Sequence, residues 1–94
     1  MLLATCVIKL QLPGVRSLKE KRRTLKSLLK RLGNEFNVAV SELDHHDVWQ
    51  TTEIGLVTIG NEAGHVHSQM AKAVAWITTN RPDIYIETYG ITIH

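Results

Sequence analysis

The sequence predicts an α+β domain whose elements alternate as βαββαβ. Three observations predict it. Four segments alternate apolar and other residues with a period of two, two longer segments carry apolar stripes at helical spacing, and turn-forming residues lie between them.

In the first strand, Leu2–Leu12, the even positions Leu2, Ala4, Cys6, Ile8, Leu10 and Leu12 are all apolar. The odd side mixes Leu3 and Val7 with Thr5, Lys9 and Gln11, so one face is buried and the other only partly apolar. Pro13-Gly14 ends the strand. Ser17 then opens a capping box, "SLKE", with Glu20 three residues on reaching back to it. Leu18, Leu25, Leu28, Leu29 and Leu32 form the stripe of a helix over about Ser17–Leu32, with Gly33-Asn34 as the stop.

"FNVAVSEL", Phe36–Leu43, is the second strand, and "DHHDVWQT" connects it to a third at Thr52–Gly60. Asn61 is the expected cap of a second helix with Ala63, Val66, Met70, Ala73, Val74 and Ile77 on one side. "NRPD" closes it, and Ile84–Ile93 is the last strand. Two helices on one face of a four-stranded antiparallel sheet, the ferredoxin-like arrangement, satisfies this order. That topology gathers "PGVRSLKEKR", the strand-two to strand-three connection and "NRPD" at one end of the sheet.

Composition bounds the function classes. The 94 residues suffice for one domain, residues 1–94, with a single core, and no tract suggests disorder. Cys6 is the one cysteine, so no intrachain disulfide forms, and its place among alternating apolar residues reads as a small buried hydrophobe. The apolar start is interrupted by Thr5, ends at Lys9 and lacks a preceding basic region, so it is not read as a leader or membrane span. A reduced, cytoplasmic protein is expected, with no membrane partner.

The net charge of +2 conceals a dipole. Residues 16–31, "RSLKEKRRTLKSLLKR", hold eight basic residues and one acid, a net +7. The remainder holds three basic and eight acidic residues, a net −5. The basic helix works against itself. Lys19/Arg23, Arg22/Lys26 and Lys26/Lys30 are like-charge i,i+4 pairs, each costing about 0.2–0.5 kcal/mol. Lys19 and Lys21 also stand in the first turn, where the helix dipole disfavours cations by about 0.3–1 kcal/mol each. Either a polyanion or an acidic protein surface is expected to meet this charge, and Asp44 and Asp47 are the expected internal partners.

Lys21 falls between Leu25 and Leu28 on the helical wheel. It is read as structural, its stem on the sheet and its amine snorkelling to the connection end. Lys19, Arg22, Arg23, Lys26 and Lys30, with Arg16 at the helix start, are the candidate phosphate contacts, a surface that binds a nucleic-acid backbone without reading sequence. Ser17 and Glu20 hold the helix start, and Trp49 with Asp47 is expected to buttress it. The Trp49 ring is expected to plug the end of the core; the alternative is an exposed aromatic at a partner surface. The central strands carry no aromatics, so RNA is expected at the helix and not on the sheet.

Other chemistry is poorly served. "DHHD" and His65/His67 have metal-ligand residue types without metal-site spacing, and no metal or cofactor is expected. Gly14 and Arg16 sketch an anion loop of the acylphosphatase kind, without a matching asparagine in strand three. No nucleophile triad, P-loop or dinucleotide fingerprint is present, so an enzyme is not expected. Leu3, Val7, Val57 and Ile59 offer a candidate homodimer surface.

"PGVRSLKEKRR", "SELDHHDVWQ" and the "IGN" run before helix two resemble the YlxP-like family of small bacterial proteins of unknown function. The resemblance spans essentially the whole chain and implies a ferredoxin-like fold. Because family members are often encoded among transcription and translation genes, it also implies a role near structured RNA or the ribosome. It supplies no catalytic residues. The expectation is a non-enzymatic RNA- or ribosome-associated protein; the alternative is a self-associating module whose basic helix meets an acidic protein surface.

Overall fold

The computed structural model describes residues 1–44 and 48–94. Six elements follow in the order β1 (Leu2–Gln11), α1 (Leu18–Glu35), β2 (Ala39–Asp44), β3 (Thr51–Gly60), α2 (Ala63–Asn80) and β4 (Tyr85–Ile93). The strands form one sheet in the order β2-β3-β1-β4, every neighbouring pair antiparallel. This is the ferredoxin-like architecture that the sequence predicts.

The period-two pattern of β1 sets the core. Ala4, Cys6, Ile8 and Leu10 are fully buried and meet Ile54 and Leu56 of β3. Both helices close the same side: Leu25, Leu28 and Leu32 of α1 and Val66, Met70, Ala73 and Ile77 of α2 join the same cluster. Burial of Cys6 pushes its thiol up to about 11. The opposite sheet face has no helix over it, and Leu3, Val7, Val57 and Ile59 stand exposed there.

Two boundaries depart from expectation. α1 runs through Gly33-Asn34 to Glu35 before the Phe36 N–H bonds the Leu32 carbonyl at 3.0 Å. Full burial of Leu32 and an Arg31–Glu35 pair across the glycine (3.9 Å) outweigh the roughly 1 kcal/mol that glycine costs a helix. The extra turn delays β2 to Ala39, three residues beyond the expected Phe36, with Phe36–Val38 forming the link. At α2, Asn61 is not the cap: Glu62 takes that position and makes no side-chain capping bond. The helical ladder begins with Val66 N–H on the Glu62 carbonyl at 3.2 Å, one residue later than Asn61 would allow.

Candidate functional site

The start of α1 is locked from three directions. Val15 N–H bonds the Leu12 carbonyl (3.1 Å), which makes Pro13-Gly14 a tight turn. Ser17 Oγ accepts from Glu20 N–H at 3.1 Å, while the Glu20 carboxylate accepts from Arg16 N–H, one residue further back than a regular capping box. Gln50 supplies the third hold. Its carbonyl accepts from Leu12 N–H (2.8 Å) and its side-chain amide donates to the Val15 carbonyl (3.0 Å).

Gln50, which the sequence reading did not single out, thus buttresses the helix start. Trp49 is 49% exposed, so its ring does not plug the core. It lies in a short irregular stretch with Val48, itself 47% exposed, where no strand carries the ring inward. Asp47, His45, His46 and the Asp44 side chain lie outside the described residues, and with them the expected Asp44 and Asp47 contacts.

The cations of residues 16–31 divide by helical angle into three groups. Lys21 points inward and is 1% exposed, its Nζ 3.1 Å from Glu42 Oε2. The same oxygen accepts from the buried Thr52 hydroxyl at 2.6 Å. The amine reaches toward the connection end, where Glu42 stands two residues from the end of β2, but stays buried because an acceptor waits for it under the helix. Sequence reasoning missed Glu42, although a signal existed: Val40 and Glu42 share one side of β2 and pair in register with the buried Leu56 and Ile54.

Arg31 turns toward α2, its guanidinium 5.3 Å from the centre of the Trp76 ring. On this flank Arg81 reaches Ser27 Oγ at 3.4 Å and grips Asp83 with two bonds of 3.0 and 2.9 Å. The hydrogen bond and charge from Arg81 hold the Asp83 carboxyl below its ordinary range. Residues from the three predicted segments thus do meet at one end of the sheet. A shallow depression of about 240 Å³ lies among Gly14, Val15, Glu20, Arg23, Thr24 and Asp83. Two carboxylates line it against one guanidinium, that of Arg23, and Arg16 is not among the lining residues, so its charge balance does not favour an anion.

The third group is the outer face of α1, opposite the stripe that packs on the sheet. Lys19, Arg22, Arg23, Lys26 and Lys30 are all exposed, as is Arg16 just before the helix. At 3.6 residues per turn the five helical cations occupy a stripe about 100° wide, and at 1.5 Å per residue it runs about 16 Å. None of the ion pairs among the described residues engages any of the five. Successive turns therefore present a cation every 5 Å or so, held on a capped, rigid helix.

Tyr85 and Tyr89 are exposed on β4, an edge strand, while β1 and β3 present no aromatic ring. His65 and His67 are exposed near the start of α2. Among the described residues no group of three or more His, Cys, Asp or Glu side chains is placed to hold a metal ion. Nor is any described helix long and apolar enough to cross a membrane.

Fold and surface together define a ferredoxin-like α+β protein with a cationic flank on its first helix. Residues 3–89 match the family described as "Protein of unknown function (DUF503)", and the chain belongs to that family. It is also similar to the protein described as "Uncharacterized protein YlxP" of Bacillus subtilis (strain 168), with 38% identity over 61 residues. That alignment covers 65% of this chain and 66% of the relative, just under two thirds of the relative's length. The YlxP-like resemblance carried by the sequence motifs agrees with both matches.

Proposed function

We propose that this protein binds structured RNA, on a ribosomal particle in the cytoplasm, through phosphate contacts from the α1 stripe, and that it does so without catalysing a reaction. One observation carries the reading. The inward cation of the helix has an internal carboxylate, whereas the five outward cations are exposed and outside every ion pair among the described residues. A helix that keeps like charges adjacent at a cost of about 0.2–0.5 kcal/mol per pair is explained when an external polyanion offsets them. The aromatic-free centre of the sheet favours the helix over the sheet as the RNA surface.

The test is fluorescence anisotropy of a labelled structured ribosomal RNA fragment across a salt series. Five phosphate contacts give a slope of log K against log salt between about −3.5 and −4.5, a loss of about 100- to 500-fold from about 50 to 200 mM. The variant Arg22→Gln/Arg23→Gln/Lys26→Gln retains two helical cations and should show a slope between about −1.4 and −1.8. Absence of wild-type binding at low salt removes RNA as the ligand, and equal slopes for the two proteins remove the stripe as its site; either result leaves an acidic protein surface as the occupant of the stripe.

A further inference from the structure

The sheet face opposite the helices changes character along its length. At one end Leu3, Val7, Val57 and Ile59 project outward, 38–57% exposed, and Leu43 joins them from β2 at 50%. Gly55 opens a trough of about 380 Å³ walled by Val7, Val57 and Leu43. Leu43 leans over the glycine so closely that a Cβ there would lie 2.9 Å from its Cδ1. Toward the other end the face is charged: Lys9 stands opposite Glu53 of β3 and pairs with Glu87 of β4 at 3.4 Å.

We propose that a second copy of this chain covers this face, related by a two-fold axis that runs along the strands between β1 and β3. The register supplies the argument. β1 and β3 are aligned as Leu3↔Ile59, Thr5↔Val57, Val7↔Gly55 and Lys9↔Glu53. A two-fold between them lays β1 of one copy over β3 of the other, so each residue meets the partner's copy of its own cross-strand neighbour. Leu3 then covers the partner's Ile59, Val7 enters the trough and packs on the partner's Leu43, which lies over Gly55, and Lys9 faces the partner's Glu53. A knob meets a hole and a cation meets an anion, and the symmetry makes each contact twice. A two-fold set across the strands would instead lay the apolar end on the charged end.

The area suits a weak dimer. Strands of ten, ten, nine and six residues at about 3.3 Å per residue and about 4.8 Å spacing make a face of about 550 Å². Two such faces remove about 1,100 Å², just under the range of standard stable interfaces, which calls for a concentration-dependent dimer. Sheets packed face to face sit about 10 Å apart with strands within about 30°, which the sheet twist provides. The helices stay outside, so both cationic stripes remain open.

Sedimentation equilibrium of the whole chain without RNA, from about 1 µM to about 1 mM, reads the association directly. The mass should rise from 10.6 kDa toward twice that value. Val7→Arg should stay monomeric with an unchanged circular dichroism melt, and Ile59→Lys serves the same purpose should the first variant misfold. Lys9→Glu should weaken association at least about tenfold, and Lys9→Glu/Glu53→Lys/Glu87→Gln, which also removes the like charge from β4, should restore it because both cross-copy pairs re-form. A wild type that remains at monomer mass throughout overturns the proposal and leaves the face to a different partner. Variants that associate as tightly as wild type, or a charge swap that fails to recover, overturn it as well.

Discussion

Replacing Lys21 with methionine keeps most of the side-chain length and removes the ammonium that meets Glu42 at 3.1 Å. The lysine side chain is 2% exposed and that of Glu42 21%, so the change leaves a carboxylate in a largely dry place beneath α1. Breaking a buried pair from one side costs about 3–5 kcal/mol. The partial exposure of Glu42 and the bond it keeps from Thr52, among its other contacts, put this case at the low end, about 3 kcal/mol. A domain of this size loses about 4–8 °C of Tm per kcal/mol, so the melt should fall by about 12–24 °C. Lys21→Met/Glu42→Gln removes both ions, keeps an acceptor for the Thr52 hydroxyl and should return to within about 1 kcal/mol of wild type, which gives a coupling of about 2 kcal/mol or more. Urea unfolding of the wild type, both single variants and the double variant measures that cycle. A Lys21→Met protein within about 1 kcal/mol of wild type would refute the reasoning. The same variant should keep the wild-type salt slope on RNA, because Lys21 does not belong to the stripe.

Neutralising the stripe should have the opposite profile. Arg22→Gln/Arg23→Gln/Lys26→Gln relieves three like-charge pairs and should gain about 0.5–1.5 kcal/mol in urea unfolding while RNA affinity falls. Ser17→Ala deletes the α1 cap and should lose about 1 kcal/mol, a drop of about 4–8 °C in Tm by calorimetry. The Asp83 carboxyl titrates below its ordinary value because of Arg81, so its small contribution to stability is present above about pH 4 and fades as pH falls through the folded-state value. Carboxyl NMR of Arg81→Ala should show Asp83 moving up toward its ordinary value; an unmoved titration would assign the shift to another group.

The strands and the two helical stripes were legible because each expresses a local period, and the unbroken alternation of β1 leaves no competing reading. What escaped depends on partners distant in sequence. Gly33-Asn34 is a stop signal by composition, yet Leu32 beneath it and Glu35 beyond it carry the helix on. Asn61 has the right chemistry for a cap, and the backbone begins the helical ladder one residue too late to use it. Lys21 was recognisable as an inward cation from its angle alone. Its acceptor on another element was missed: the alternation of Glu42 with Val40 is a weak signal on so short a strand, and only the register with Leu56 and Ile54 makes it plain. Trp49 misled for a related reason: a large aromatic belongs inside only where the backbone turns it there.

The solitary thiol beneath the helices gives this molecule its own unfolding gauge. Cys6 is fully buried in the central strand β1, and the chain holds no other cysteine to confuse the signal. With its ionisation pushed up to about 11, it is also almost entirely protonated near neutrality, so contact and reactivity are withheld together. An alkylating reagent can reach it when the sheet and its helical cover part. The pace of labelling then counts those partings under native conditions, with about a tenfold slowing for every 1.4 kcal/mol of opening free energy. Added RNA or added protein that binds the closed form slows the same clock, so one reaction can follow both kinds of association without a dye or a tag.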